Sequence, residues 1–253
     1  MNIDNGSVIK SYETDKSAAT YAIWKHKYSN ICYIVIRGTN SFEDFLTDAD
    51  VKEYDDKEIG VKVHNGVRLR TEFMIKNIGN KLDECESDIV ITGHSLGGSM
   101  THYLFLKYVK RYMIDLNQAE KAEKFKGVMF GAPQLTTKSS YQYLIKKEDN
   151  IVWIKYESDC GPELVKTLKS LVTTAGFIGS LKISLFISLG AFVAIKSVSY
   201  GDYIPGRKYK LKKDGKKQVY KYKFTENFSL DGHVDLYKTV DAIQRKGWTD
   251  DLF

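Results

Sequence analysis

Ile89-Val90-Ile91-Thr92-Gly93-His94-Ser95-Leu96-Gly97-Gly98 is the stretch on which the reading of this chain turns. An apolar, largely β-branched run leads into the pattern G-x-S-x-G, and a helical pattern follows at once. A serine on a sharp strand-to-helix turn is pushed into a strained, exposed position from which its hydroxyl can attack a carbonyl carbon. Gly93 and Gly97 have no Cβ, so such an elbow closes without steric conflict. A helix starting near Leu96 aims its first backbone N–H groups at the negative charge that develops. The bland alternative is a strand–turn–helix whose serine only caps the helix. That alternative predicts no partner histidine and acid downstream, so the partners are the next thing to look for.

Outward from the elbow, strands and helices alternate. Tyr21 to Trp24 and Ile31 to Arg37 read as strands joined by a polar turn. Ile31 to Ile36 is nearly all apolar, as in a strand buried on both faces. Gly66 to Glu84 has helical periodicity through Val67, Leu69, Phe73, Ile75, Ile78 and Leu82. The helix after the elbow runs to about Met113, and a polar helical stretch continues to about Lys124. Gly127 to Phe130 and Ile151 to Tyr156 are further strands, with a short helix expected over Tyr141 to Lys147. This order implies an α/β fold with a mostly parallel sheet and crossover helices. In such sheets the ligand site lies beyond the carboxyl ends of the strands. Ser95, Thr39 and Asp159 each follow an expected strand end, so one sheet edge can gather them.

An activated serine needs a base, and the base needs a group that orients it. Of the five histidines, His94 adjoins the serine and points away from it, and His26 lies in a turn. His64 precedes Asn65-Gly66, where packing near the loop after the first strands is expected, and His102 sits on the helix after the elbow. His233, in Asp231-Gly232-His233-Val234-Asp235, satisfies the chain order serine, acid, histidine; its bland reading is a histidine at a helix start. Asp159 closes a strand between the two and is the preferred acid, with Glu157, Glu163 and Asp202 as competitors and a helix cap as its alternative role. The oxyanion hole needs two N–H donors about 3 Å from the carbonyl oxygen. The amide of Leu96 is one; the loop Arg37-Gly38-Thr39-Asn40-Ser41 supplies the other, with the Thr39 hydroxyl as a further donor.

At this point the residues carry a resemblance. Ile36-Arg37-Gly38-Thr39, His64-Asn65-Gly66-Val67, Gly93 to Gly98, Phe130-Gly131-Ala132-Pro133, Asp159 and His233 occur in the order seen in class 3 lipases, the fungal triacylglycerol lipase family. The chain resembles that family over residues 31–237. The resemblance implies an α/β-hydrolase core, hydrolysis of carboxylic esters of lipids, a triad of Ser95, Asp159 and His233, and oxyanion donors at Thr39 and Leu96. The segment Phe42-Glu43-Asp44-Phe45-Leu46-Thr47-Asp48 is similar to the family's lid, with Phe42, Phe45 and Leu46 covering the site in water. The chain departs from the family's extracellular members in lacking a recognisable signal and a disulfide pattern.

Composition sets the remaining bounds. Hydrophobic content of 43% and charged content of 28% are those of a soluble globular chain, and 253 residues make one domain the default. Cys32, Cys85 and Cys160 are odd in number and unevenly spaced, which suggests neither a metal site nor a disulfide framework and favours a reducing compartment. The polar N-terminus is not a secretory signal. A cytoplasmic or peripheral-membrane location is expected, with delivery elsewhere requiring an unconventional route.

Between acid and base lies an insertion, residues 164–225. Residues 171–198 are apolar apart from Lys182 and Lys196, and the uncharged run Ile183 to Ile195 reaches span length with the flank before Lys182. Three readings stand: a buried helix or helix pair, a membrane-dipping element and a true span. Residues 207–224 read as a basic β-hairpin around Asp214-Gly215. Nine Lys or Arg face a single Asp in 207–223, which leaves the rest of the chain near −2 against the net +6. A solvated face is the bland reading of that charge; attraction to anionic headgroups is the functional one. No nucleic-acid reader fold is evident. The expectation is a serine carboxylic ester hydrolase of lipase or phospholipase type. It takes an acyl lipid at a membrane or lipid–water interface, with no metal or organic cofactor. The rivals are a membrane-perturbing protein on a hydrolase scaffold and an acyltransferase or soluble esterase with the same triad.

Overall fold

The computed structural model describes residues 6–12, 19–38, 53–133, 136–137, 150–156, 206–211 and 217–219. Ten strands and three α-helices lie in that set. β1 (Gly6–Tyr12), β2 (Tyr21–His26) and β3 (Cys32–Ile36) come first, followed by a small hairpin of β4 (Glu53–Asp56) and β5 (Val61–His64). Helix α1 (Asn65–Ile78) leads through a 3-10 turn at Lys81–Glu84 to β6 (Ile89–His94). Helix α2 (Leu96–Lys110) and the short α3 (Ala119–Glu123) precede β7 (Phe125–Phe130), β8 (Ile151–Tyr156), β9 (Arg207–Leu211) and β10 (Lys217–Val219).

The main sheet has eight strands in the order β1-β2-β3-β6-β7-β8-β9-β10. β3, β6, β7, β8 and β9 run parallel to their neighbours in that series. The outer pairs β1–β2, β2–β3 and β9–β10 are antiparallel. The α/β fold with a mostly parallel sheet and crossover helices is therefore as the sequence led us to expect. β9 and β10 pair Leu211 with Lys217 and Tyr209 with Val219, and they join the main sheet beside β8.

One face of the sheet carries the principal core. Ile34, Ile89, Ile91, Phe125, Met129 and Trp153 pack there against Val67, Met74, Met100 and Leu104 of the helices. α2 is buried on nearly all sides, so its sequence is apolar or small almost throughout. The opposite face holds a smaller cluster of Val128, Val152 and Ile154, with Val90, Phe130 and Tyr209 packed against it.

Three expectations need correcting. β3 is not buried on both faces: Cys32, Ile34 and Ile36 are buried, but Val35 is 45% exposed. The second-face cluster begins at β6, so β3 lies beyond its cover. The helix expected to reach Glu84 ends at Ile78, where Gly79 takes φ 55° and its N–H bonds the Ile75 carbonyl. A glycine in that conformation stops a helix. Its buried stripe is Val67, Thr71, Met74 and Ile78, leaving Leu69 outside. Finally, Cys32 and Cys85 form a disulfide with Cα atoms 5.8 Å apart. Cys32 opens β3 and Cys85 follows the 3-10 turn, and the Cys32 N–H bonds the Asp88 carbonyl at 3.0 Å, so the fold brings the two chain segments together. A sequence separation of 53 residues gives no hint of this. The cysteines therefore no longer argue for a reducing compartment.

Candidate active site

Ser95 sits between the last residue of β6 and the first of α2, with φ 55° and ψ −125°. For a side chain bearing a Cβ this is a sparsely populated region, and holding a residue there costs about 1–3 kcal/mol. Surrounding hydrogen bonds hold it there. The Ser95 N–H donates to the Phe130 carbonyl at 2.9 Å, while its own carbonyl accepts from Gly98 at 2.9 Å and Ser99 at 3.2 Å. The Ser95 side chain makes no capping bond to the helix, which removes the bland reading of the motif. The expectation of an exposed hydroxyl is not met: Ser95 is 5% exposed.

The glycines explain how closely the turn is packed. A Cβ on Gly93 would lie 2.5 Å from the Gly97 carbonyl carbon and oxygen. A Cβ on Gly97 would lie 2.5 Å from the Ile36 carbonyl oxygen, and one on Gly38 would lie 2.6 Å from the His94 carbonyl oxygen and 3.4 Å from Ser95 Cβ. Only bare backbone fits at these positions, so the chain leaving β3 runs directly alongside the elbow. Leu96 opens α2, and its amide belongs to the first-turn N–H groups that have no intrahelical acceptor.

The strand register aligns the ends of β3, β6 and β8. Ile36 pairs with Gly93, His94 with Phe130, and Phe130 with Ile154. β3, β6 and β8 thus end at one edge of the sheet, the edge that carries Ser95. Thr39 and Asp159 follow β3 and β8 in sequence but lie outside the described residues. So do His233, Phe42, Phe45 and Leu46, residues 157–205 with the apolar stretch 171–198, and the expected helix at Tyr141 to Lys147. No helix among the described residues is long and apolar enough to cross a membrane.

The other histidines have local duties. His64 is buried and caps α1, its Nδ1 accepting from the Gly66 N–H at 3.2 Å. His26 Nδ1 accepts from the Ser29 N–H. His102 is buried on α2 with Nδ1 bonded to the Thr136 hydroxyl, and burial pulls its pKa down to about 3. It is therefore a neutral imidazole at any ordinary pH.

The sequence assigned no role to the loop after β7, yet this loop supports the elbow. Gly131 takes φ 53°. Its N–H bonds the Ile154 carbonyl at 2.8 Å, Ser99 Oγ donates to the Pro133 carbonyl at 2.7 Å, and Trp153 Nε1 donates to the Ala132 carbonyl at 3.1 Å. Gly98 lies so close to Ala132 that a Cβ would meet its methyl at 2.6 Å. The signal was available in Gly131-Ala132-Pro133, a short turn of small residues at the end of a strand.

A parallel sheet, a strained serine between strand and helix, and glycine-only packing around it define an α/β hydrolase. The family model for Lipase (class 3) matches residues 33–168, more than half of the chain, and the chain belongs to that family. Among curated proteins, the lipase of Rhizopus niveus is 28% identical over 103 residues, covering 38% of this chain and 26% of its own. The chain thus matches about a quarter of the length of that relative. Lipase II from Rhizopus niveus superposes with a TM-score of 0.63 at 18% identity, covering 92% of this chain and 80% of its own. A triacylglycerol lipase whose catalytic centre is formed by a serine protease triad superposes with a TM-score of 0.61 at 18% identity, covering 91% and 80%. At such identities the structural likeness is one of fold.

Proposed function

We propose that this chain hydrolyses carboxylic esters of acyl lipids through a covalent acyl-enzyme. In this reading Ser95 Oγ attacks the ester carbonyl while His233 takes its proton and returns it to the leaving alcohol. Asp159 orients the imidazole and stabilises the imidazolium. The amides of Leu96 and Thr39 receive the oxyanion, and water, deprotonated by His233, then releases the fatty acid. The observation that carries the reading is the Ser95 backbone, held at φ 55° at the end of β6 without capping the helix it precedes. A structural scaffold has no reason to maintain that strain, whereas a nucleophile gains from it.

Membership of the class 3 lipase family supports an ester of lipid as substrate. The burial of Ser95 supports a site that is covered in water and opened at a lipid–water interface, the role read for Phe42, Phe45 and Leu46. The protein would then work as a peripheral visitor to its substrate phase.

The test is fatty-acid release from mixed phospholipid and triacylglycerol vesicles by the wild type and by Ser95→Ala. Wild-type release should fall by at least about a thousandfold in the variant, as for loss of a covalent nucleophile. Release that persists in Ser95→Ala would sink the proposal. Labelling of Ser95 by a fluorophosphonate without release of any fatty acid would retain the nucleophile and reject the lipid substrate.

A further inference from the structure

We propose that Ser99 and Trp153 are positioning residues for the Ser95 nucleophile, acting together through the backbone of Phe130-Gly131-Ala132-Pro133. The proposal rests on Ser95 attacking the ester carbonyl as set out above, and it adds two buried side chains outside the triad.

The first observation is where the donors go. The register pairs of β7 stop at Phe130, and the chain then turns at Gly131 with φ 53°. Gly131, Ala132 and Pro133 are buried, so the carbonyls beyond the strand need partners of another kind. A buried carbonyl left unpaired costs the free energy of taking it out of water. Trp153 Nε1 supplies a donor to the Ala132 carbonyl at 3.1 Å, and Ser99 Oγ supplies one to the Pro133 carbonyl at 2.7 Å. Both donors are themselves buried.

The second observation is what the same residues hold. The Phe130 carbonyl accepts from the Ser95 N–H at 2.9 Å, and the Gly131 N–H donates to the Ile154 carbonyl at 2.8 Å. Ala132 lies against the first turn of α2, where a Cβ on Gly98 would meet its methyl at 2.6 Å. The segment is therefore tied to the elbow and α2 through Ser95 and Ser99, and to β8 through Trp153 and Ile154. β8 is the strand that precedes Asp159 in sequence, so these ties also set the elbow relative to the strand expected to lead to the acid.

Ser95 stands at φ 55°, and a strained backbone persists only where its surroundings over-determine it. Loss of either side-chain donor leaves a buried carbonyl to find a new one. The segment meets that need by moving, and the Phe130 carbonyl that holds the Ser95 N–H moves with it. A misplaced nucleophile loses rate steeply. Bonds that served folding alone would cost stability when removed and leave Ser95 as reactive as before.

Labelling of Ser95 in the full chain by a fluorophosphonate tests this, with urea denaturation read alongside. Ser99→Ala should lower the maximal labelling rate about tenfold and leave the half-saturating probe concentration within about twofold, since alignment is lost and probe binding is not. Trp153→Phe should do the same. Because both act through one segment, the double variant should fall about tenfold to thirtyfold, short of the roughly hundredfold of independent effects. Ile78→Val trims the core at the C-terminal end of α1 with an apolar side chain that cannot bond the segment. It should cost stability and label at the wild-type rate. Unchanged labelling of folded Ser99→Ala, a hundredfold loss in the double variant, or equal slowing in Ile78→Val would each overturn the proposal. Ser99→Ala alone decides the matter if Trp153→Phe does not fold. A wild type that the probe does not label would reject the nucleophile reading and this proposal with it. Labelling slowed as expected, with no fatty-acid release by the wild type, would reject only the lipid substrate.

Discussion

At the scale of single residues, the elbow holds one side chain in a backbone conformation that costs folding stability. Ser95 occupies φ 55° and ψ −125°, a region that glycine enters without penalty and that alanine enters no more easily than serine. The two substitutions that remove the hydroxyl should therefore differ in stability. Ser95→Ala keeps the strain, and Ser95→Gly relieves it at the expense of some extra freedom in the unfolded chain. Urea denaturation should find Ser95→Gly more stable than Ser95→Ala by about 1 kcal/mol, with both inactive. An alanine variant as stable as the glycine variant would mean that the serine backbone is not strained. G-x-S-x-G made this position legible because the glycines and the serine stand next to one another in sequence. The support from Ser99 Oγ to Pro133 and from Trp153 Nε1 to Ala132 was not legible. Those bonds cross sequence separations that no local pattern encodes.

At the scale of elements, β2, β3, β6, β7, β8 and α2 were readable because their apolar runs are long and their boundaries carry turn residues. β1 and the β4–β5 hairpin were not, since Glu53–Asp56 is almost wholly polar. Its place is set by side chains far away. Asp56, 4% exposed, accepts from the Tyr103 hydroxyl and from Lys107 Nζ on α2. A buried carboxylate with two donors docks this hairpin where hydrophobicity alone would not. The Cys32–Cys85 bond is a second long-range tie, from the start of β3 to the segment after the 3-10 turn. By chain entropy, closing a loop of 53 residues contributes about 4 kcal/mol. Cys85→Ser should lower the melting temperature by roughly 8 °C or more, and a reducing agent should do the same to the wild type but not to the variant. Equal melting with and without reductant in the wild type would show that the two thiols are not joined in solution.

At the scale of the whole molecule, the alternation of strand and helix predicted the parallel sheet and the edge that carries Ser95, because each crossover returns the chain to the same side. The sequence did not predict how deeply α2 is enclosed, and that enclosure has a consequence for stability against acid. His102 lies on α2, buried with its Nδ1 on the Thr136 hydroxyl, and Thr136 in turn bridges to Val63 of β5. Helix, hairpin and the segment after β7 therefore meet around a neutral imidazole. Burial lowers its pKa from 6.5 to about 3. A base whose folded pKa lies below its unfolded value takes up its proton more readily when unfolded. His102 thus leaves stability unaffected above about pH 6.5 and weakens the fold progressively between 6.5 and 3. By pH 4.5 the loss is about 2–3 kcal/mol. Glu58, whose carboxyl is held low by Lys107 and Lys110, also loses stabilisation as pH falls, so the wild-type curve alone does not isolate the histidine. His102→Gln retains an amide that can bond Thr136 and does not titrate. Its unfolding free energy should fall less steeply than the wild type's between pH 6.5 and 4.5, while the two curves run parallel between pH 7 and 8. Parallel curves over the acid range as well would mean that the imidazole is open to water or already charged, and that the seam around α2 is looser than its burial implies.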